Sequence, residues 1–392
     1  MHSVACPEIR CAIHMSSAHS RCDHPKTYEQ ASTGDYLQMS GPLLSTAKQL
    51  IKRATIQTGL EAIALSGAPY IFPKQAGRGI IFTLHHVRPR RSLGFDPNAL
   101  LSVTPEFLEQ AIRTAIQCGL TPVHLNSLPE LLSKPSDVRR FICFTLDDGY
   151  RDNVEFAAPV FRRYQVPYTI FVAQGFISRT RTMWWETAEY LTRKVPSFRL
   201  ILNSGAVTLK TETRRQKLAA FEQLTKLVQE CDEDEVVASI DQAAQEHGID
   251  PIAIVDSLAI DERELHALAR DPLASVGAHT VSHVNLRRVS AERLRSELQE
   301  SAKAIEDFTG QYPDTFAYPY GRSHAVGDRE IDAVAESGFS VAVTNQPGML
   351  NAQSIQRITS LNRVSLNGNY QKERYVKALI SGVPFGLMRD SR

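Results

Sequence analysis

The chain has 392 residues, 43% of them hydrophobic and 22% charged, with 44 basic side chains against 43 acidic ones. This is the profile of a globular protein long enough for one large domain or two ordinary ones. A formal charge of +1 offers no electrostatic footprint for nucleic acid, and no run reaches the ~18 apolar residues of a membrane span, so collagen, coiled coil, transmembrane bundle and nucleic-acid binder drop out and a folded cytosolic enzyme is expected.

Residues 1–42 depart from that profile. Cys6, Cys11 and Cys22 stand there with His2, His14, His19 and His24, without periodicity or large apolar content. A small metal site is the weaker reading, because the overall Cys-x4-Cys-x10-Cys-x-His spacing is not that of a common zinc site. The stronger reading is a disordered tail. It lacks the apolar core of a secretory signal, and Cys118, Cys143 and Cys231 are scattered singly, which points to the cytoplasm. Between Leu43 and Leu65 apolar residues recur at near-helical spacing, so residues 43–77 read as an amphipathic helix and a linker. Peripheral contact of helix 43–65 with a membrane surface is the weaker alternative to docking on the domain.

From Gly79 the pattern alternates. Gly79–Leu84 reads as a buried strand and Thr104-Pro105-Glu106 as a helix start, with the helix ending at Gly119. A strand near Thr121–Leu125, a helix after Ser127, the buried strand Phe141–Leu146, a helix over Asn153–Gln165 and a strand over Val166–Ala173 follow. That rhythm is an α/β domain with a parallel sheet. It breaks near residue 178. A hairpin turning at Asn203-Ser204-Gly205 and two helices, about 213–230 and 234–247, lie in a stretch whose residues 211–270 hold 14 acids and 6 bases. The acidic run reads as a solvated helical face within an insertion at about 178–258. The alternation resumes with a helix from Asp261, a strand Leu273–Ala278, a helix from Ser290 to Gly310, a strand Thr315–Ala317, a helix Asp328–Ser337, and strands at Ser340–Thr344 and Ile358–Leu366.

Three clusters sit just past expected strands, where parallel α/β sheets and barrels build ligand sites. His279-x3-His283 on a helical turn would bring two imidazoles to one face for a metal ion; alone, such histidines also serve as core hydrogen-bonding groups. Asp147-Asp148-Gly149 is alone a common turn, but two acids after a buried strand need a compensating charge or ligand. Together they form a His, His, carboxylate set of the kind that holds catalytic zinc or a similar divalent ion, with a second acid free for proton transfer.

Phe144-Thr-Leu-Asp-Asp-Gly-Tyr150, His279-Thr-Val-Ser-His283 and Ala317-Tyr-Pro-Tyr-Gly321 resemble the first three motifs of the polysaccharide deacetylases. These form the fourth carbohydrate esterase family, which includes the chitooligosaccharide deacetylase of rhizobial nodulation. Thr83-Leu-His-His-Val-Arg-Pro89 is similar to the opening strand of many members. The resemblance covers roughly residues 78–366. It implies an irregular (β/α) barrel with a helical, hairpin-bearing insertion, forming a catalytic domain over 78–392. It implies metal-dependent removal of the N-acetyl group from N-acetylglucosamine units of an oligosaccharide or polysaccharide, releasing acetate. Asp148, His279 and His283 would be ligands of a divalent ion, Zn²⁺ or alternatively Co²⁺ or Mn²⁺. Asp147 would be the general base, and a backbone N–H near Tyr320 would join the metal in holding the oxyanion.

The sequence departs from the family pattern twice. Many members carry an arginine where this chain has Ala317, and many have a late Leu-x-His whose histidine protonates the leaving amine, whereas no histidine follows His324. His85 is the candidate replacement acid, and Arg363 a candidate to orient Asp147 or the substrate. His86, Tyr150, Asp152 and Arg322 are further rim candidates, each as readily structural. Trp184 and Trp185 suit stacking on sugar rings or packing in a core or lid. Three other functions stay open: hydrolysis of another amide on the same metal site, a non-catalytic carbohydrate-binding relative, and a structural metal-binding protein. A base retained beside the metal ligand argues against the last two.

Overall fold

The structure is a computed structural model that describes residues 42–67, 73–134 and 136–389. The expected tail, apart from Pro42, and the alternative metal reading of its cysteines and histidines lie outside the described residues. By its contacts the chain divides into Met1–Thr46 and a compact unit Ala47–Arg392.

Helix α1 (Pro42–Leu65) buries Leu60 and Ile63 against Tyr375, Ala378 and Val383. Glu61 on the same turn binds Lys372, Arg374 and the Tyr375 hydroxyl at 2.5–3.0 Å. The last turns of the helix therefore dock on the C-terminal helices, while Ile51 and Leu65 face solvent. No helix of the described residues is long and apolar enough to cross a membrane.

The core begins with β1 (Gly79–Leu84) and α2 (Pro105–Gln117), the latter capped by the Thr104 hydroxyl, which accepts from the Phe107 amide. β2 (Leu120–Pro122), β3 (Arg140–Leu146), α3 (Ala158–Tyr164) and β4 (Tyr168–Val172) follow. α4 (Trp184–Lys194) opens the insertion, with the hairpin β5 (Ser197–Leu202) and β6 (Gly205–Lys210) and helices α5 (Arg214–Glu230), α6 (Glu233–Glu246) and α7 (Pro251–Leu258). α8 (Glu262–Leu268), β7 (Ala274–Ala278), α9 (Ala291–Thr309), β8 (Thr315–Ala317), α10 (Asp328–Glu336), β9 (Val341–Val343), β10 (Val364–Ser365) and α11 (Glu373–Ile380) complete the domain.

The main sheet runs β9-β8-β7-β4-β3-β1-β10, with β2 paired to the start of β3, and its strands pair in parallel throughout. β1 and β4 are buried at every position, as expected for parallel strands covered on both faces. Leu361 bridges to Val343 at one edge, and three residues later Val364 pairs with Phe82 of β1 at the other. One short segment thus draws the two edges together into an irregular barrel, and every strand of the sheet points its carboxyl end to one rim.

Two expectations from the pattern are corrected here. The run Ile358–Leu366 is not one strand: Ala352–Ser360 is 3-10 helical around a kink at Arg357, and only Val364 and Ser365 join the sheet. The insertion also holds more helix than the two read from the pattern. The pattern hides α4, because its inner face carries Glu186, Glu189, Thr187 and Thr192, all fully buried, which breaks the apolar periodicity. α7 has an ordinary start, Asp250 accepting from the amides of Ile252 and Ala253 with Pro251 at the first position. The hairpin turns its Phe198, Leu200 and Leu202 inward by simple alternation. With Leu224, Val236 and Ile240 these side chains form a second core, which Tyr150 and Phe176 of the barrel rim join.

Candidate active site

Among the described residues six non-glycine residues adopt positive φ, and four of them stand in the loops that leave the strands at this rim: Asp148 (72°), Thr280 (69°), His283 (55°) and Tyr320 (60°). Such backbone is costly for residues with a Cβ and concentrates at functional sites. Gly149, at +66°, has a second constraint: a Cβ there would lie 2.9 Å from Val172 Cγ1. The turn after β3 therefore packs against β4 while its two acids face the rim.

The histidine pair is not on a helical turn, as its spacing suggested. After β7 the chain makes an irregular turn, in which the Thr280 hydroxyl accepts from the His283 amide at 2.9 Å. The amides of Val281 and Ser282 donate to the Glu297 carboxylate of α9 at 2.9 Å each. These N–H groups find a side chain instead of helical carbonyls, and the left-handed Thr280 and His283 produce the convergence that helical spacing would have supplied. The His279 Nδ1–H donates to the Ala317 carbonyl at 2.6 Å, which leaves Nε2 as its free lone pair.

His279 Nε2 and His283 Nε2 lie 3.5 and 3.3 Å from Asp148 Oδ1, and ligand atoms of the three side chains fall within 4.8 Å of one another. All three residues are buried, and Asp148 Oδ1 has no well-formed hydrogen bond. A buried carboxylate oxygen facing two imidazole nitrogens in this way fits a divalent cation, since an orphaned buried acceptor is otherwise costly. Burial opposes ionisation of Asp148, but the two histidines outweigh it and hold the carboxyl well below its usual range.

Asp147 points the other way. Arg363 Nη1 and Nη2 donate to its two oxygens at 2.7 Å each, and the same guanidinium is held by the Thr344 carbonyl and the Thr145 hydroxyl. Both side chains are almost wholly inaccessible. Burial alone would raise the Asp147 carboxyl; Arg363, with His279 and His85, reverses that and keeps it below its ordinary value. His85 lies in the same cleft at the end of β1, and burial keeps its imidazole below the usual value against the pull of Asp148 and Asp147.

The cleft above these groups encloses about 400 Å³, with Trp184, Trp185, Tyr320, Leu100 and Phe221 among its walls. α4 and α5 of the insertion thus form one side of it. The Tyr320 hydroxyl donates to Glu233 Oε1 of α6 at 2.5 Å and accepts from Trp184 Nε1 at 3.2 Å. Trp185 packs on His283 with ring centroids 4.9 Å apart and donates to the Tyr150 hydroxyl at 2.8 Å. His86 does not reach the cleft: it is fully buried between Asp152 (2.5 Å) and Glu186 (3.4 Å), with its ring centroid 3.5 Å from that of Tyr150 at a tilt of 32°. Arg322 lines the cleft.

Glu186, Glu233 and Glu297 were not singled out from the sequence. Glu233 falls in the run Asp232–Glu235, which reads as solvated helix, and Glu186 and Glu297 stand among other acids of polar helices. Contacts across 100 residues for Glu186, 52 for Glu233 and 15 to 16 for Glu297 reveal their partners.

The sequence model of the family described as "Polysaccharide deacetylase" matches residues 134–342. A Bacillus subtilis (strain 168) protein carrying a polysaccharide deacetylase name, YxkH, is 22% identical over 248 residues, which cover 63% of this chain; the chain spans 58% of that protein's length. Among solved structures, Streptococcus pyogenes deacetylase PplD in complex with acetate is 17% identical, with a TM-score of 0.46 over 77% of this chain and 97% of that one. IcaB from Ammonifex degensii is 14% identical, with a TM-score of 0.48 over 77% and 98%.

Proposed function

This chain belongs to the polysaccharide deacetylase family, and we propose that it hydrolyses the N-acetyl group of N-acetylglucosamine units in an oligosaccharide or polysaccharide of the chitooligosaccharide kind, releasing acetate. The observation that supports the reading best is the juxtaposition of two differently held acids: Asp148 with an unpartnered oxygen facing His279 and His283, and Asp147 clamped by Arg363.

Asp148, His279 and His283 would hold the divalent ion, Zn²⁺ or alternatively Co²⁺ or Mn²⁺, which when bound supplies Lewis acidity to the acetamide carbonyl and to the attacking water. Asp147 accepts the proton of that water. A base must be ionised before it can act, and Arg363 keeps Asp147 in that state despite its burial. The backbone at Tyr320, fixed in a left-handed conformation with its carbonyl accepting from Asn345 Nδ2 at 3.2 Å, offers its N–H to the developing oxyanion. His85 is assigned the return of a proton to the leaving amine. Burial holds its imidazole below the ordinary histidine value, which disfavours a resting proton, and Asp147 carries one to hand over once water has been split. Trp184 and Trp185 supply flat apolar walls for a sugar ring.

A cytoplasmic location belongs to the same reading and rests on the isolated free cysteines Cys118, Cys143 and Cys231. The missing late histidine favours a second reading, a carbohydrate-binding relative without turnover; hydrolysis of a different amide is the third. Purified protein loaded in turn with Zn²⁺, Co²⁺ and Mn²⁺ is assayed for acetate release from chitooligosaccharides, with Asp147→Asn as the control. Release that is lost in the control supports the proposal. Metal binding without release favours the binding protein, and release from other amides alone favours the different hydrolase.

A further inference from the structure

A second cavity, of about 320 Å³, adjoins the cleft; Arg322 and Pro347 line both. The two differ in chemistry. The cleft has aromatic and aliphatic walls around two acids, whereas the adjoining groove is lined by Lys74, Gln75, Arg322, Gln346, Asn351 and Asn362, and none of its lining residues is acidic. Among the described residues no hydrogen bond engages the side-chain amides of Gln75, Gln346 or Asn362, and no ion pair engages Lys74 or Arg322. Arg322 and Lys74 are exposed. Two glycines let the groove floor pack closely: a Cβ on Gly382 would sit 1.9 Å from the Gln75 backbone carbonyl oxygen, and one on Gly348 would sit 2.4 Å from the side-chain Nδ2 of Asn362. The local field is positive. After burial, the charges of Arg322 and Arg287 are what hold the neighbouring His324 imidazole below its ordinary value.

Planar amides present paired donors and acceptors suited to sugar hydroxyls. A guanidinium matches carboxylate and phosphate oxygens bidentately, and an ammonium supplies a point charge to the same groups. A groove with both, no acid, and direct continuity with the cleft suits a neighbouring unit of the same glycan chain, one that carries a negative charge. We propose that this groove is a second saccharide subsite, selecting substrates in which a unit next to the one being deacetylated bears a carboxylate or phosphate. Arg322, shared by both cavities, reads the junction and Lys74 the far side.

The inference deepens the proposed function and rests on it for the word substrate, but its test is one of binding. Metal-loaded protein carrying Asp147→Asn is titrated calorimetrically with three probes of equal length: neutral chitotetraose, a chitotetraose oxidised to a C6 carboxylate on one unit, and one phosphorylated at C6. The acidic probes are expected to bind about tenfold more tightly than the neutral one, as one well-made charged contact provides. That ratio should fall toward one with rising salt and in Lys74→Gln/Arg322→Gln, and be kept in Lys74→Arg/Arg322→Lys. Preference for one acidic probe over the other identifies the substituent. Equal binding of all three probes, no binding of any, or a preference that survives Lys74→Gln/Arg322→Gln overturns the subsite. Acid-selective binding without acetate release from any probe by the protein with Asp147 intact would sink the deacetylase reading and leave the subsite standing; release without charge preference does the reverse.

Discussion

Arg363 grips both oxygens of Asp147 at 2.7 Å from a position 216 residues later in the chain. It comes from the segment that draws the two edges of the barrel together, so closure of the sheet and the ionisation of the acid are tied to one residue. The third motif has Ala317 where many relatives carry an arginine, and Ala317 contributes its carbonyl to His279 instead. The guanidinium that faces the acid is supplied from elsewhere.

Arg363→Met is expected to lower kcat/KM by about 10²-fold or more, within the range that a general base contributes. The burial that Arg363 now overrides would push the Asp147 carboxyl up, so the acidic limb of the pH–rate profile should move to higher pH. The variant should also lose roughly 3–5 kcal/mol of stability, because a buried acid is left without its partner. Arg363→Lys should restore the limb in part. A limb that stays in place while only stability falls would mean the arginine merely packs.

For the candidate metal site of Asp148, His279 and His283, ion binding should be visible without any substrate. A saturating divalent ion at about 100 times its Kd adds roughly 2.7 kcal/mol to the folded state, so addition of Zn²⁺ should raise Tm, and chelation should reverse the rise. Asp148→Asn and His283→Ala should each abolish the shift and reduce bound metal per chain to background. The same Tm shift in either variant would show that these residues are not the ligands.

The parts of the site that could be read from the sequence are those fixed by strand ends. Asp147, Asp148 and His279 each follow a run apolar enough to be recognised as a strand, and a parallel sheet brings such ends to one rim; Arg363 stands inside a run read as strand, of which only Val364 and Ser365 join the sheet. The means of convergence was not legible. Helical spacing for His279 and His283 was a sound inference from period alone, yet the strand before them and the Glu297 carboxylate behind them stabilise a left-handed turn. Nor could the buried acids of the insertion be found. A glutamate in a polar helix looks alike whether it faces water or, like Glu233, meets Tyr320 87 residues away.

That contact bears on what Tyr320 can do. Its hydroxyl proton is committed to Glu233, and its oxygen to Trp184, so the side chain is not free to act as a donor to the substrate. Tyr320→Phe should therefore keep kcat within about tenfold, while stability falls by roughly 1–3 kcal/mol as the buried Glu233 loses its donor. Glu233→Gln should cost at least as much, because one amide oxygen remains for two donors, the Tyr320 hydroxyl and the Asn285 N–H. A loss of 10²-fold or more in kcat for Tyr320→Phe, of the size seen when an oxyanion donor is removed, would assign the hydroxyl a direct part in the chemistry.

His86 ties the insertion to the barrel. It stands between Asp152, at the start of the helical segment after β3, and Glu186 of α4, and is itself inaccessible to solvent. Burial disfavours its charged form, but Asp152 and then Glu186 outweigh that and raise its pKa above the ordinary value. The sign of the linkage follows. The folded state binds this proton more tightly than the unfolded chain, so the stabilisation is complete below the unfolded histidine value of about 6.5 and is lost as pH rises through the folded value. His86→Asn should destabilise the protein by roughly 3–5 kcal/mol at pH 6, and the gap from the parent should narrow at alkaline pH. Denaturant unfolding of both proteins between pH 6 and pH 9 gives the comparison. A gap of constant size across that range would mean that His86 is held neutral, and that its bond to Asp152 is an ordinary hydrogen bond rather than an ion pair.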